Sequence, residues 1–323
     1  MTDLSTLRAA VAGVVLTPGE AGFVDLVAPW LQGAAITPAV AVGAKTPSDV
    51  ALAVKFATAE GHPVRIQATG HGAHDPITSG VLVVTKGLDH LTIDAQSKSA
   101  TIGAGVPWGA VITAAAEHGL APIAGSSGTV GVVGFLLGGG LGPLIRSHGF
   151  GSDYVRELEV VTADGALVRA STTQHPELFW ALRGGKGGLG VVTEVTIALV
   201  DLPTLYGGTL MFDAPYIESA LRAWLAYTAT ADARVSTSAA LMRFPDAPFI
   251  PDRSSRAASD GMCTEGTSVC HEALLSCCAS RWSFLRRARQ HPAIAQASPV
   301  QPALDARPRW LHPRFGTPRP TFP

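Results

Sequence analysis

Three glycine-rich segments, spaced among strands and helices, constrain the fold of this chain most strongly. They span residues 67–72, 125–142 and 183–193. Glycine lets the main chain approach a ligand closely and aim successive N–H groups at an anion. One such segment alone is more typical of an ordinary turn. Three in one domain predict a ligand that carries a diphosphate, as a dinucleotide does.

The third segment contains a misleading match to a nucleotide-binding fingerprint. Gly185, Gly187 and Gly190 satisfy the G-x-G-x-x-G spacing. That fingerprint requires a strand before it and a helix after it, whereas here a predicted helix precedes it and a predicted strand follows it. NAD binding by a Rossmann fold is therefore unsupported, and the sequence contains no Walker-type lysine loop.

Local patterns predict a mixed α+β domain. Thr46, Pro47 and Asp49 form a helix start with an N-cap, and Asp164-Gly165 is a hairpin turn. The predicted helices are 4–15, 47–60, 107–118, 176–183 and 217–227. The predicted strands are 64–68, 81–84, 91–94, 99–104, 157–162, 166–170, 191–200 and 208–212. Short strands interleaved with helices favour the α+β class.

The composition changes near Asp252. Only three of the 35 Gly follow it, together with ten Arg, eight Pro and all four Cys. Such a segment buries too little apolar surface to offset its ordering entropy. We interpret 253–323 as an aberrant, disordered tail that resembles coding sequence translated in the wrong frame. The other predicted units are a helical segment (1–33), the main α+β domain (34–203) and the incomplete start of a second domain (204–252).

Charge and hydropathy disfavour several classes of partner. A net charge of −1 gives no reason to expect nucleic acid. The most apolar run, 130–145, is shorter than the roughly 20 residues of a membrane span and is broken by Gly and Pro. Asp3 stands where the basic region of a secretory signal belongs, so we expect a cytoplasmic protein with no membrane partner. Cys263, Cys270 and Cys277 lack the close spacing of zinc ligands, so no metal site is predicted.

At the level of motifs, residues 38–203 resemble the FAD-binding domain of the vanillyl-alcohol-oxidase (PCMH-type) oxidoreductases. Within that group they are most similar to the berberine-bridge-enzyme-like bacterial oxidases. Four matches carry the resemblance in the family's order, and they cover about half the chain. These are 65–72 with its histidine, 127–140 (S-G-T-V-G-V-V-G-F-L-L-G-G-G), 157–165 (E-L-E-V-V-T-A-D-G) and 177–193 (E-L-F-W-A-L-R-G-G-K-G-G-L-G-V-V-T).

The resemblance implies FAD as the cofactor. His71 matches the histidine that bonds to the flavin 8α-methyl, although a loop histidine with an ordinary hydrogen bond is the alternative. Ser127 stands where many relatives have a cysteine that forms a second link, so attachment through His71 alone is implied. The remaining implied contacts, mostly through the main chain, are Gln67, Ala68, Thr69, Gly70, Gly72, Thr129, Val130, Gly131, Gly138, Gly139, Gly140, Val191 and Val192.

The implied function is an FAD-dependent oxidoreductase. It transfers hydride from a small organic substrate (an alcohol, sugar or secondary metabolite) to flavin N5, and molecular oxygen or another acceptor reoxidises the flavin. Relatives continue through a substrate-binding sheet that is not recognisable after Pro251, so the chain is interpreted as C-terminally truncated or frameshifted. Catalytic residues are expected in the missing part and stay unassigned. The alternative is a truncated flavin-binding remnant with no turnover.

Overall fold

The computed structural model describes residues 3–243 together with 260–267 and 289–292. The α-helices are α1 (Leu4–Ala10), α2 (Phe23–Val27), α3 (Pro47–Ala59), α4 (Trp108–Ala116), α5 (Val132–Leu137), α6 (Ile145–His148), α7 (Pro176–Leu182) and α8 (Ile217–Thr228). None of these described helices is long and apolar enough to cross a membrane.

The strands complete the mixed α+β architecture that the sequence predicts. They are β1 (Val14–Leu16), β2 (Val40–Gly43), β3 (Val64–Gln67), β4 (Val81–Val84), β5 (Leu91–Asp94), β6 (Ser99–Gly103), β7 (Leu120–Ala121), β8 (Val155–Val161), β9 (Leu167–Ser171), β10 (Val191–Ala198), β11 (Val200–Asp201), β12 (Thr204–Asp213), β13 (Ser236–Arg243), β14 (Asp260–Thr267) and β15 (Arg289–Pro292).

The first sheet is mostly parallel and covered on both faces. Its strand order is β1-β2-β4-β3, with β2 and β3 parallel to β4. All four residues of β4 are buried, as expected for a parallel strand with both faces covered. Val81 and Val83 join the main core with α3, whereas Leu82 and Val84 join a smaller core with Phe23 of α2. β3 therefore ends at a fixed position, and the first glycine segment starts there.

The second sheet is antiparallel, in the order β5-β6-β10-β8-β9. Ile102 and Val195 are fully buried and face the same main core, because α3 packs between the two sheets. The opposite face is polar, and it includes an ion pair of Arg169 with Glu157. One hydrophobic core thus joins both sheets into a single scaffold.

The start of the chain differs from the sequence-based expectation. The prediction of one helix over 4–15 is wrong beyond Ala10. Val11 is extended, and Val14–Leu16 pairs antiparallel with β2. β-Branched Val14 and Val15 favour a pleated strand, and β2 offers them a free edge.

The last sheet has the order β13-β14-β12-β15. β14 and β15 lie within 253–323, where the sequence predicts a disordered tail, and both pair antiparallel with β12. Strand pairing requires only main-chain N–H and C=O groups, so β12 can bind them whatever their side chains are. The rest of that segment lies outside the described residues, and its interpretation as an aberrant tail stays a prediction.

Asp49 joins the N-terminal segment to the start of α3. Its side chain is 1% exposed. The carboxylate accepts hydrogen bonds from the N–H groups of Lys45 (2.8 Å), Thr46 (3.2 Å), Ala12 (2.9 Å) and Gly13 (3.2 Å). Burial raises the pKa of Asp49, but these hydrogen bonds outweigh burial and hold the pKa below its usual value.

Replacement of Asp49 should therefore destabilise the fold in a pH-dependent way. Asp49→Ala leaves several buried N–H groups without an acceptor, and we expect it to lower the free energy of unfolding by about 3 kcal/mol at neutral pH. The folded pKa lies below the unfolded one, so this stabilisation is present above the unfolded pKa and is lost as the pH falls through the folded pKa. Urea unfolding at neutral and acidic pH measures the difference.

The exposed Asp89→Ala is the matched control, with an expected change within about 0.5 kcal/mol. A deficit for Asp49→Ala that is equally large in acid would contradict the assigned role of the ionised carboxylate.

Candidate functional site

The first and second glycine segments meet at two side-chain hydrogen bonds. His71 Nε2 lies 2.9 Å from Thr129 Oγ1. The Gly131 N–H donates to Thr69 Oγ1 at 3.3 Å. Thr129 Oγ1 also lies 3.0 Å from Ser127 Oγ, so a short chain of hydroxyl groups leads away from the imidazole. Segments that are distant in the sequence therefore form one surface beyond the end of β3.

His71 is held on one face as well as at one edge. The Trp30 ring stacks on the imidazole, with ring centroids 3.9 Å apart and planes 15° apart. Burial lowers the pKa of His71 from its usual 6.5, and a hydrogen bond with Thr129 partly opposes this effect. The lowered pKa favours the uncharged imidazole, and Nε2 is the nitrogen engaged by Thr129.

Trp30 is the residue that sequence reasoning missed. No glycine segment or motif includes it, and its separation from His71 along the chain hides the contact. The only local signal is a large aromatic residue directly after Pro29, in a mostly apolar stretch. An exposed tryptophan of this kind is also common on ordinary surfaces, so the sequence alone does not distinguish the two cases.

Two rows of main-chain N–H groups lie in the segments that meet at His71 and Thr129. The N–H groups of 68–72 and 127–129 donate no hydrogen bond within the described part of the chain. By contrast, the Val130 N–H donates to Ser127 O at 3.3 Å, and the Gly131 N–H is bound to Thr69. Of the three main-chain donors at 129–131, only the Thr129 N–H therefore has no hydrogen-bond partner in the described part of the chain.

The glycines divide into those that face open space and those that face protein. A Cβ added at Gly72 or Gly139 would meet no atom within 4 Å, and one at Gly138 would come no closer than 3.5 Å to its neighbours. A Cβ at Gly70 would lie 2.5 Å from Pro29 Cα. Gly70 is thus required for packing, whereas Gly72, Gly138 and Gly139 leave an open edge that a ligand can approach.

Gly140 belongs to the packed group. A Cβ there would lie 2.9 Å from Phe135 Cε1, and its φ of +78° is one that side chains rarely adopt. Gly131 is intermediate, because a Cβ there would lie 3.4 Å from Ala68 Cβ. The sequence assigns these glycines to the cofactor, but the protein itself already accounts for the need for glycine at 140.

The third segment approaches the second at its C-terminal end. The Lys186 N–H donates to Leu137 O at 2.9 Å, and a Cβ at Gly184 would lie 3.9 Å from Gly139 Cα. Val191 and Val192 are each 4% exposed and belong to the main core. Their side chains serve packing, so only their main chain is available to a ligand.

Gln67 also serves the fold through its side chain. It is 4% exposed, and its Nε2 donates to Val27 O at 3.0 Å. Its Oε1 is buried and has no partner among the residues that the structure describes. The side chain of Gln67 therefore fixes the chain before the loop, and its main-chain contact with the cofactor stays a prediction.

The sequence predicts a dinucleotide at this place, and the unpaired N–H groups, the open glycine edge and His71 lie together there. In agreement, residues 38–171 match the family described as FAD binding domain. This match bears out the FAD-binding domain that the sequence motifs predict and their resemblance to PCMH-type FAD-linked oxidoreductases.

Two curated relatives illustrate this relationship. The chain is 34% identical to the FAD-dependent monooxygenase prx3 of Penicillium roqueforti over 216 residues, which are 65% of this chain and 42% of that protein. It is 33% identical to (R)-6-hydroxynicotine oxidase of Paenarthrobacter nicotinovorans over 196 residues, which are 60% of this chain and 43% of that protein. The chain therefore spans less than half the length of these relatives.

Solved structures show the same fold. The crystal structure of 6-hydroxy-D-nicotine oxidase from Arthrobacter nicotinovorans superposes with a TM-score of 0.77 at 23% identity, covering 88% of this chain and 62% of that one. The BBE-like 1 protein of Physcomitrella patens gives 0.75 at 23% identity, covering 90% and 62%. These likenesses support the architecture of the domain.

Gly72 offers a test of the open edge. Gly72→Ala adds a methyl group that meets no protein atom, so we expect the melting temperature without FAD to stay unchanged. If the FAD diphosphate lies against this edge, the methyl group should weaken FAD binding, on the order of tenfold or more. Binding is measured by titration in a His71→Ala background, which has no imidazole at position 71 for a covalent link.

The matched control is Gly187→Ala, because its added Cβ also meets no atom within 4 Å and lies outside the two N–H rows. Equal FAD affinity in Gly72→Ala and the control would show that the edge at Gly72 does not contact the cofactor.

Proposed function

We propose that this chain is the FAD-binding part of an FAD-dependent oxidoreductase that oxidises a small organic molecule. The observation that carries the proposal is the convergence of His71, Thr129 and two rows of unpaired N–H groups within an FAD-binding domain. FAD supplies hydride acceptance at N5 when it is bound, and the protein positions and tunes it.

The protein's own groups fit the parts of this cofactor. The N–H groups of 68–72 and 127–129 would bind the diphosphate, because unpaired main-chain donors in a concave loop favour an anion. The open edge at Gly138 and Gly139 would accept the flat flavin ring, since no side chain projects there.

His71 is proposed as the point of covalent attachment. Its imidazole is neutral near pH 7, because burial lowers its pKa, and a neutral imidazole is the nucleophilic form. In the tautomer whose Nε2–H donates to Thr129 Oγ1, the lone pair lies on Nδ1, and we assign this tautomer to the form that attacks the flavin 8α-methyl. Ser127 lies next to Thr129 and has no thiol, so a single link through His71 is proposed.

The substrate and the acceptor follow from the class of relatives. One relative is a hydroxynicotine oxidase and another is a monooxygenase. We therefore propose an alcohol, sugar or secondary metabolite as the substrate, with molecular oxygen or another acceptor. To test this, such compounds are added to the flavin-loaded full chain without oxygen, and the visible absorbance of the flavin is recorded. Loss of this absorbance shows reduction of the flavin and supports turnover.

Flavin binding without turnover is the second candidate. The groups that converge in the described part of the chain are main-chain donors and one histidine, which bind a cofactor, and no catalytic acid or base is assigned among them. Yellow, covalently loaded protein whose flavin no candidate substrate reduces would favour this candidate.

Attachment through His71 is tested by acid precipitation. The wild-type chain should give a yellow pellet, because covalent flavin stays with the protein. His71→Ala should release nearly all flavin into the supernatant, whereas the exposed neighbour His74→Ala should behave like the wild type. Absorbance of pellet and supernatant measures the two fractions. A yellow pellet from His71→Ala excludes this residue as the attachment point.

The pH dependence of attachment follows from the lowered pKa of His71. The neutral imidazole is present above the lowered pKa, so the rate of covalent incorporation should be constant through pH 7 and fall only below 6.5, by about tenfold per pH unit. The rate of covalent incorporation is measured by mixing the apoprotein with FAD and quenching samples with acid at set times. FAD binding to His71→Ala over the same pH range distinguishes a loss of binding from a loss of reactivity. A midpoint of the rate profile above pH 6.5 would contradict the lowered pKa of His71.

A further inference from the structure

Residues 27–32, which we call the strap, run along the loop that follows β3. The Trp30 N–H donates to Thr69 O at 2.9 Å, and the Leu31 N–H donates to Gly70 O at 3.3 Å. The two stretches approach so closely that a Cβ on Gly70 would lie 2.5 Å from Pro29 Cα. The strap is thus fixed to the loop through the main chain.

Side chains from the first sheet fasten the other end of the strap. Gln67 Nε2 donates to Val27 O at 3.0 Å, and Lys86 Nζ donates to Ala28 O at 3.0 Å. These bonds come from the last residue of β3 and from the second residue after β4. The position of the strap relative to the loop is therefore set independently of the side chain of Trp30.

Trp30 extends from this fixed strap over the ring of His71. The rings are 3.9 Å apart and nearly parallel, although the tryptophan is 57% exposed. Core packing does not account for such a residue, because more than half of it is in contact with solvent. Among the described residues, its one aromatic contact is with the imidazole whose reaction the proposed function requires.

We propose that Trp30 is a positioning residue for the covalent attachment of flavin to His71, an inference that rests on the proposed function above. The indole fixes the plane of the imidazole, and Thr129 fixes its rotation through Nε2. A nucleophile that is already oriented reacts faster, because the entropy of alignment is lost before the reaction and not during it.

Covalent attachment of the flavin is a two-electron oxidation. A bond forms between an imidazole nitrogen of His71 and the 8α carbon, and one C–H bond of the methyl group breaks. One hydrogen leaves this carbon and one leaves the imidazole. Bound FAD would take up both hydrogens with two electrons, and dioxygen would then accept them and leave as hydrogen peroxide. Trp30 takes no part in these transfers.

The test compares Trp30→Leu, Trp30→Phe and the control Trp180→Leu in the full chain, where Trp180 is 75% exposed on α7. The rate of covalent incorporation is measured after mixing apoprotein with FAD, and reversible FAD affinity is measured in the His71→Ala background. Trp30→Leu should slow incorporation about three- to tenfold, in line with the strength of a stacked aromatic pair. Trp30→Phe should restore most of the rate, and Trp180→Leu should match the wild type.

An independent readout follows the imidazole itself. The proton resonance of the His71 ring should lie upfield in the apoprotein because of the indole above it, and this shift should disappear in Trp30→Leu. This measurement needs no flavin, and comparison of the melting curves of all variants identifies any that fail to fold.

The outcomes separate the two proposals. If the wild type incorporates flavin covalently and Trp30→Leu does so at the same rate, the role of Trp30 is overturned, whereas covalent attachment stands. Equal losses in the Phe and Leu variants assign the effect to general packing and also overturn it. Absence of covalent flavin in the wild type overturns the proposed attachment, and the role of Trp30 with it.

Discussion

The candidate site depends on the contact between the loop after β3 and the second glycine segment. Two hydrogen bonds, His71 with Thr129 and Gly131 with Thr69, hold these stretches together. Each stretch is anchored in turn, because β3 pairs with the fully buried β4 and the Trp108 N–H donates to Val130 O at 2.9 Å. Without this contact the unpaired N–H groups would belong to two separate loops, and no diphosphate could bridge them.

Glycine content alone gives an incomplete account of such a site. Gly70 and Gly140 have positive φ values and no room for a side chain beside other parts of the protein, so packing requires them. Gly72 has neither constraint, so packing does not account for glycine there. Runs that look uniform in the sequence thus combine glycines that packing requires with glycines that it does not, and only the neighbours in space separate them.

Features with a local physical cause were predictable from the sequence. The capping box of Thr46 and Asp49 is present at the start of α3, and the Asp164-Gly165 turn joins β8 to β9 as expected. The FAD-binding domain was also predicted correctly, because ordered motifs carry more information than composition. By contrast, α5 forms inside a glycine-rich segment that disfavours helix, since Val132 and Leu136 are buried in the main core. Tertiary packing of this kind leaves no local signal.

The strap shows why the surroundings of the site are harder to predict than its motifs. Its contacts with the loop are mostly main-chain hydrogen bonds, which any residue except proline can donate, so the sequence of 27–32 carries little trace of them. Only Trp30 contributes a specific side chain, and its meaning depends on His71 lying beneath it. A motif identifies the group that reacts, whereas the groups that orient it can come from any segment that the fold brings near. Orientation of the imidazole here is therefore a property of the fold, and it becomes visible only when the N-terminal segment and the glycine loop are seen together.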